Sequence, residues 1–185
     1  MKRIFIALKI APGEALLRMF SSLRSLPGNE KINWVDPENI HVTLAFLGDT
    51  EGERIKAADI AVREKCKGFG EFGFNLTGTG LFRNFRDPKV IWTGIEDCDR
   101  LVKLNEIITA GLRDAGFKPE SRPFKPHITL GRIKFIKDPH SLESAIERYS
   151  GTFFQRVTVN EVIIFESILS PAGPLYKPVS RIRLS

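Results

Sequence analysis

Apolar residues fill five consecutive positions near the start of the chain, Ile4 to Leu8, and Lys9 then interrupts them. With its β-branched members and no Gly or Pro, Arg3–Ile10 predicts a strand. After the break at Ala11–Gly13, apolar residues return at Leu16, Leu17, Phe20, Leu23 and Leu26. That helical period predicts a helix over Glu14–Leu26. Asn33–Val35 and Ile40–Leu47 read as strands on either side of the turn-forming run Asp36-Pro37-Glu38-Asn39. Glu51–Lys67 then reads as a charged amphipathic helix, and Phe72–Phe82 as a glycine-bearing strand. Val90–Ile95 predicts a strand and Asp99–Ala115 a helix, which Gly116 is placed to end. The remaining elements are a strand at His127–Phe135, a short helix at Ser141–Tyr149, a long strand at Phe154–Ser167 with a break near Asn160, and a closing strand at Val179–Leu184.

The pattern repeats. His41-Val42-Thr43-Leu44 and His127-Ile128-Thr129-Leu130 are 127 − 41 = 86 positions apart. The same offset lays Ile4-Phe5-Ile6 on Val90-Ile91-Trp92 and the first helix on the helix at 99–115. Two copies are too few for a solenoid or propeller. They predict an α+β fold over residues 1–185, a single domain of two duplicated, pseudo-symmetric lobes. Each lobe is a small antiparallel sheet with outer helices, and a central cleft lies between them. The tracts richest in chain breakers, Arg83–Lys89, Lys118–Pro126 and Ser170–Pro178, are the expected loops around a site.

Composition bounds the class without fixing the chemistry. The 185 residues are 42% hydrophobic and 27% charged, ordinary proportions for a globular protein. No apolar run approaches the roughly 20 residues of a bilayer span, and the opening five-residue run is shorter than the ~7–15 of a secretory signal. Cys66 and Cys98 form no CxxC and no framework of close spacings. A cytoplasmic, monomeric protein without membrane association is the expectation. The formal net charge of +6 favours a polyanionic partner.

Alternation places His41 and Thr43 on one strand face, and Val42 and Leu44 on the other. His127 and Thr129 are arranged alike. Two residues of strand rise about 6.6 Å, so an imidazole and a hydroxyl can touch one phosphate-sized group. With nine Thr in 185 positions, the accidental placement of Thr two residues after two of three His has odds of about 1 in 140. Facing each other across a cleft, two imidazoles and two hydroxyls suit acid–base chemistry on a phosphodiester. One neutral His takes a proton from the nucleophile, one protonated His supplies the leaving oxygen, and the hydroxyls bind phosphoryl oxygens.

Ile40–Gly48 (IHVTLAFLG), with Trp34 and Pro37-Glu38-Asn39 before it, and Pro126–Arg132 (PHITLGR) resemble the paired HxTx signatures of the two-histidine (2H) phosphoesterase superfamily. More narrowly, they resemble its RNA 2′,3′-cyclic phosphodiesterases, once called 2′-5′ RNA ligases. Arg3–Leu8, Val90–Ile95 and Ser170–Tyr176 extend the likeness over nearly the whole chain. The resemblance implies a bilobal α+β structure with the active cleft between lobes and a reaction needing no cofactor or metal. It implies that RNA with a cyclic phosphate end, tRNA fragments among them, is hydrolysed to a 2′-phosphate. His41 would be the proton donor to the 3′ oxygen, His127 the base activating water, and Thr43 and Thr129 the phosphate ligands. The residues alone leave acid and base unassigned. End joining, small cyclic nucleotides and a non-catalytic RNA-binding module are the alternatives.

Arg132 matches an arginine this family carries after its second motif, where it would neutralise phosphate. Regular alternation puts it on the face opposite His127 and Thr129, unless Gly131 marks a bulge. Phe46, Phe82, Arg83, Phe85 and Arg86 are candidates to stack on bases or pair phosphates, with core filling and solvated charge as their other uses. A metal site would need a third and fourth ligand, and His140 is expected in a loop without ligand spacing.

Overall fold

A computed structural model describes residues 1–26, 31–82, 89–120, 123–171 and 173–184. Nine strands and four helices appear among them, in two wholly antiparallel sheets. In chain order they are β1 (Lys2–Lys9), α1 (Glu14–Arg24), β2 (Ile32–Trp34), β3 (His41–Thr50), α2 (Gly52–Cys66), β4 (Phe72–Phe82), β5 (Val90–Glu96), α3 (Asp99–Asp114), β6 (His127–Ile133), α4 (Pro139–Arg148), β7 (Phe153–Val159), β8 (Glu161–Ser170) and β9 (Gly173–Arg183). A 3-10 turn, Pro37–Asn39, occupies the predicted turn before β3. Asp36 caps it by accepting from the Glu38 N–H at 2.9 Å.

Of the stripe expected on α1, Leu16, Phe20 and Leu23 are buried with Met19 beside them, while Leu17 and Leu26 are half-buried. On α3 the buried stripe is Leu101, Leu104, Ile108 and Leu112. Gly116 ends α3 with φ +76°, and the Phe117 N–H returns to the Leu112 carbonyl. The main core lies between helices and sheets and takes Ile4, Ile6 and Leu8 from β1. A second apolar cluster, Phe5, Ala7, Ile163 and Phe165, covers the opposite face of the same strands. β1 is therefore buried on both faces, which is why its sequence runs apolar without alternation.

The first sheet has the order β3-β1-β8-β9 and the second β2-β6-β5-β4-β7. The α+β, two-sheet architecture is as expected, but the strands do not segregate by chain half. β4, from the first half, pairs with β5, and β8, from the second, pairs with β1. The long strand expected at 154–167 is two strands in different sheets, divided at Asn160, whose carbonyl accepts from the Leu184 N–H at 2.8 Å.

Two expectations need correcting. The tract 170–178, expected as a loop, is mostly the first half of β9 from Gly173 onward. Pro174 and Pro178 are tolerated because β9 is an edge strand whose second side has no ladder to supply. His140, expected in a loop, sits in the first turn of α4, which starts early because Asp138 accepts from the N–H groups of His140 and Ser141.

Candidate active site

His41 and His127 open strands β3 and β6, and each ring is held in the same way. The His41 Nδ1 lies 2.6 Å from the Asn39 carbonyl, and the His127 Nδ1 lies 2.7 Å from the Lys125 carbonyl, two residues upstream in both cases. A carbonyl only accepts, so Nδ1 carries the proton in both rings. Nε2 is left to hold or release a second one. Asn39 is itself fixed, its side-chain amide donating to the Pro174 carbonyl at 3.0 Å. Aromatic rings seat the imidazoles. Phe5 and Tyr176 each lie 5.2 Å from His41, and Phe82 stands edge-on to His127 at 4.7 Å.

Thr43 and Thr129 are half-buried and share their histidines' faces, and their hydroxyls make no hydrogen bond to a described residue. Their hydroxyls are thus available to a ligand. β3 and β6 approach one another, and the His127 charge acts within reach of His41. Burial holds both histidines below the ordinary imidazole pKa. The Arg132 guanidinium pushes both in the same direction, and His127 adds to the effect on His41.

Arg132 reaches this cleft because β6 bulges. Trp92 pairs with Thr129 and Ile91 with Gly131, so Leu130 is the extra residue. Leu130 and Gly131 are both buried, and alternation resumes one position late, with Arg132 on the His127 face. The freed Leu130 carbonyl accepts from the Val35 N–H at 2.9 Å. β3 carries the same device. Ala7 pairs with Thr43 and Ile6 with Ala45, so Leu44 is extra, and its carbonyl accepts from the Asn105 side chain at 2.7 Å. The bulge turns Phe46 onto the His41 face, opposite Phe5 in the ladder and 55% exposed. Phe46 and Arg132 are themselves 132 − 46 = 86 positions apart, so corresponding places hold a flat apolar ring in one lobe and a cation in the other.

Tyr176 and Phe5 are site residues that the sequence pattern did not reveal. Tyr176 comes from the strand mistaken for a loop, and burial raises its pKa while the charges of Arg132 and Arg3 oppose the rise. Phe5 was hidden in an apolar run with no alternation to mark its cleft face. Phe82 lies at the site against His127, whereas Arg83, Phe85 and Arg86 fall outside the described residues.

The second sheet supplies a flat floor. The Trp92 ring lies over Gly80, where an added Cβ would stand 2.2 Å from its Cζ2. Gly80→Val should therefore displace a rigid ring beside Thr129. An expected cost of about 1–3 kcal/mol is measurable by urea unfolding, and unchanged stability would mean that the ring has room to move. Among the described residues, no group of three or more His, Cys, Asp or Glu is placed to hold a metal. A hollow of about 410 Å³ between α2 and α3 lies on the helical side and is lined by neither histidine.

Two antiparallel sheets presenting paired His-x-Thr strands across a cleft define a two-histidine phosphoesterase architecture. The LigT like Phosphoesterase family matches residues 8–92 and 94–176, and the chain belongs to that family. It is 38% identical over 144 residues to the RNA 2′,3′-cyclic phosphodiesterase of Thermotoga maritima, covering 78% of this chain and 75% of that one. The enzyme of the same name from Methanothermobacter thermautotrophicus is 30% identical over 184 residues, 98% of both chains. Escherichia coli LigT, in a crystal structure with 3′-AMP, superimposes with a TM-score of 0.76 at 25% identity, covering 100% of this chain and 98% of LigT. No described helix is long and apolar enough to cross a membrane.

Proposed function

We propose that this chain hydrolyses RNA 2′,3′-cyclic phosphate ends, as the names of its relatives suggest, and leaves 2′-phosphate ends. The observation that carries this reading is the pair of imidazoles with Nδ1 committed to a backbone carbonyl, so that Nε2 of each is left for proton transfer at one shared phosphate. Neutral His127 takes a proton from water as the water oxygen attacks phosphorus. The phosphorus–O3′ bond breaks, and protonated His41 delivers its Nε2 proton to O3′. Thr43 and Thr129 donate to the non-bridging oxygens, and Arg132 offsets the charge that builds on them. Solvent exchange then returns one proton from His127 and one to His41. Phe46 offers its ring to a base.

The compartment we propose is the cytoplasm, with the chain acting as a monomer on RNA that includes tRNA fragments. Cys66 and Cys98 are both free, and burial pushes the Cys66 thiol up to about 11, which suits inert thiols in a reducing medium. We also propose that residues 1–185 are one domain of two duplicated lobes. In support, β1, α1, β3, α2 and β4 recur in order as β5, α3, β6, α4 and β8.

The test is an oligoribonucleotide ending in a cyclic phosphate, incubated with EDTA and followed by phosphorus NMR and a 3′-specific phosphatase. A 2′-phosphate product that resists the phosphatase is expected. A 3′-phosphate would overturn the assignment of O3′ to His41, and loss of activity on chelation would overturn the metal-independent mechanism. Binding without turnover would leave only an RNA-binding module.

A further inference from the structure

Beyond Arg132, the second sheet ends in a cluster of cations around an exposed ring. Asn33 pairs with Arg132 in the β2–β6 ladder, and both are exposed on the cleft face. Two positions further from the histidines, the Lys134 N–H donates to the Lys31 carbonyl at 2.9 Å, so these exposed lysines continue the same row. Lys89 adjoins them, its carbonyl accepting from the Ile133 N–H at 2.9 Å. Phe135 is 56% exposed, and the Lys31 ammonium lies 5.2 Å from its ring centroid. Among the described residues neither Lys31 nor Lys134 forms an ion pair.

An exposed Phe is costly in water, and no acid among the described residues pairs with Lys31 or Lys134 beside it. The combination matches what single-stranded nucleic acid requires, cations for the backbone and a flat apolar face for a base. An acidic protein surface would use the lysines but not the ring. At about 3.3 Å per residue, Lys134, one residue past the end of β6, stands roughly 16 Å from Thr129, within the reach of a strand a few nucleotides long.

We propose that Lys31, Lys134 and Phe135 form a docking surface for the single-stranded RNA that precedes the cyclic end, making the preferred substrate an oligonucleotide rather than a mononucleotide. The proposal rests on the reading of the cleft as the seat of the 3′ end. The chain enters past Arg132, the lysines pair successive phosphates, and an unstacked base covers Phe135.

Two measurements test it on the full chain. In the first, fluorescence anisotropy follows a labelled hexaribonucleotide with an ordinary 3′-hydroxyl. Phe135→Ala should weaken binding by about tenfold, as should Lys31→Gln combined with Lys134→Gln, and the double lysine variant should also flatten the salt dependence. In the second, KM for a hexamer with a cyclic end should rise similarly, while kcat and the hydrolysis of 2′,3′-cyclic AMP stay unchanged. Unaltered hexamer binding in both variants would overturn the proposal, as would an equal loss on the mononucleotide. Should Phe135→Ala fail to fold, the lysine pair decides. If the wild-type chain turned over neither substrate, the hydrolase reading would fall, and the anisotropy would still decide the surface.

Discussion

Alanine in place of His41 or His127 is expected to lower kcat by about 10²–10⁴-fold in hydrolysis of a cyclic phosphate end, while leaving the fold intact. Among the described residues each imidazole makes one hydrogen bond, to the carbonyl two residues before it, and rests against aromatic rings outside the main core. The structural loss is therefore small beside the chemical one, and thermal unfolding followed by circular dichroism should show a native transition in both variants. The two losses should not add. Once one proton transfer is gone the other has little left to assist, so the double variant should resemble the worse single one. Full turnover by either single variant would remove the acid–base pair from the mechanism.

Arg132→Gln is expected to lower kcat/KM by about 10²-fold and to move the pH profile. In the parent enzyme, burial first and the Arg132 charge second hold both imidazoles below the ordinary histidine value. The bell-shaped profile of kcat/KM, which reports the free enzyme, should accordingly lie to the acid side of pH 6.5 on both limbs. Removing the cation makes a protonated imidazole easier to hold, so both limbs should shift toward higher pH. A loss of rate with fixed limbs would mean that Arg132 touches the phosphate without influencing the histidines. An unchanged rate would place its guanidinium outside the reaction.

How far the site could be read in advance depended on where the strands stay regular. Alternation holds from His41 to Thr43 and from His127 to Thr129, and the His and Thr of each pair are half-buried on one strand face. It fails one residue later, at the bulges of Leu44 and Leu130. Gly131 was a visible warning for Arg132. Phe46 had no such warning, because Ala45 stands where the second lobe has its glycine, and only the 86-residue correspondence links the two positions. Tyr176 was missed for a different reason. Two prolines argue against a strand unless it lies at a sheet edge, and edge position belongs to the tertiary structure rather than to local pattern. The partners of β4 and β8 were equally invisible, since apolar strands of similar length do not announce which neighbour they will choose.

That choice of partners bears on how the cleft can move. A hinge between lobes needs a slack connection, and the lobes here are not the two halves of the chain. The sheet carrying His41 is completed by β8 and β9, which follow His127, and the sheet carrying His127 takes in β2 and β4 from the first half of the chain. Between β7 and β8 the crossing from one sheet to the other is a single residue, Asn160, clamped by the Leu184 N–H. The lobes are laced together like two plates sharing one thread. A crossing this short gives the two plates no slack between β7 and β8.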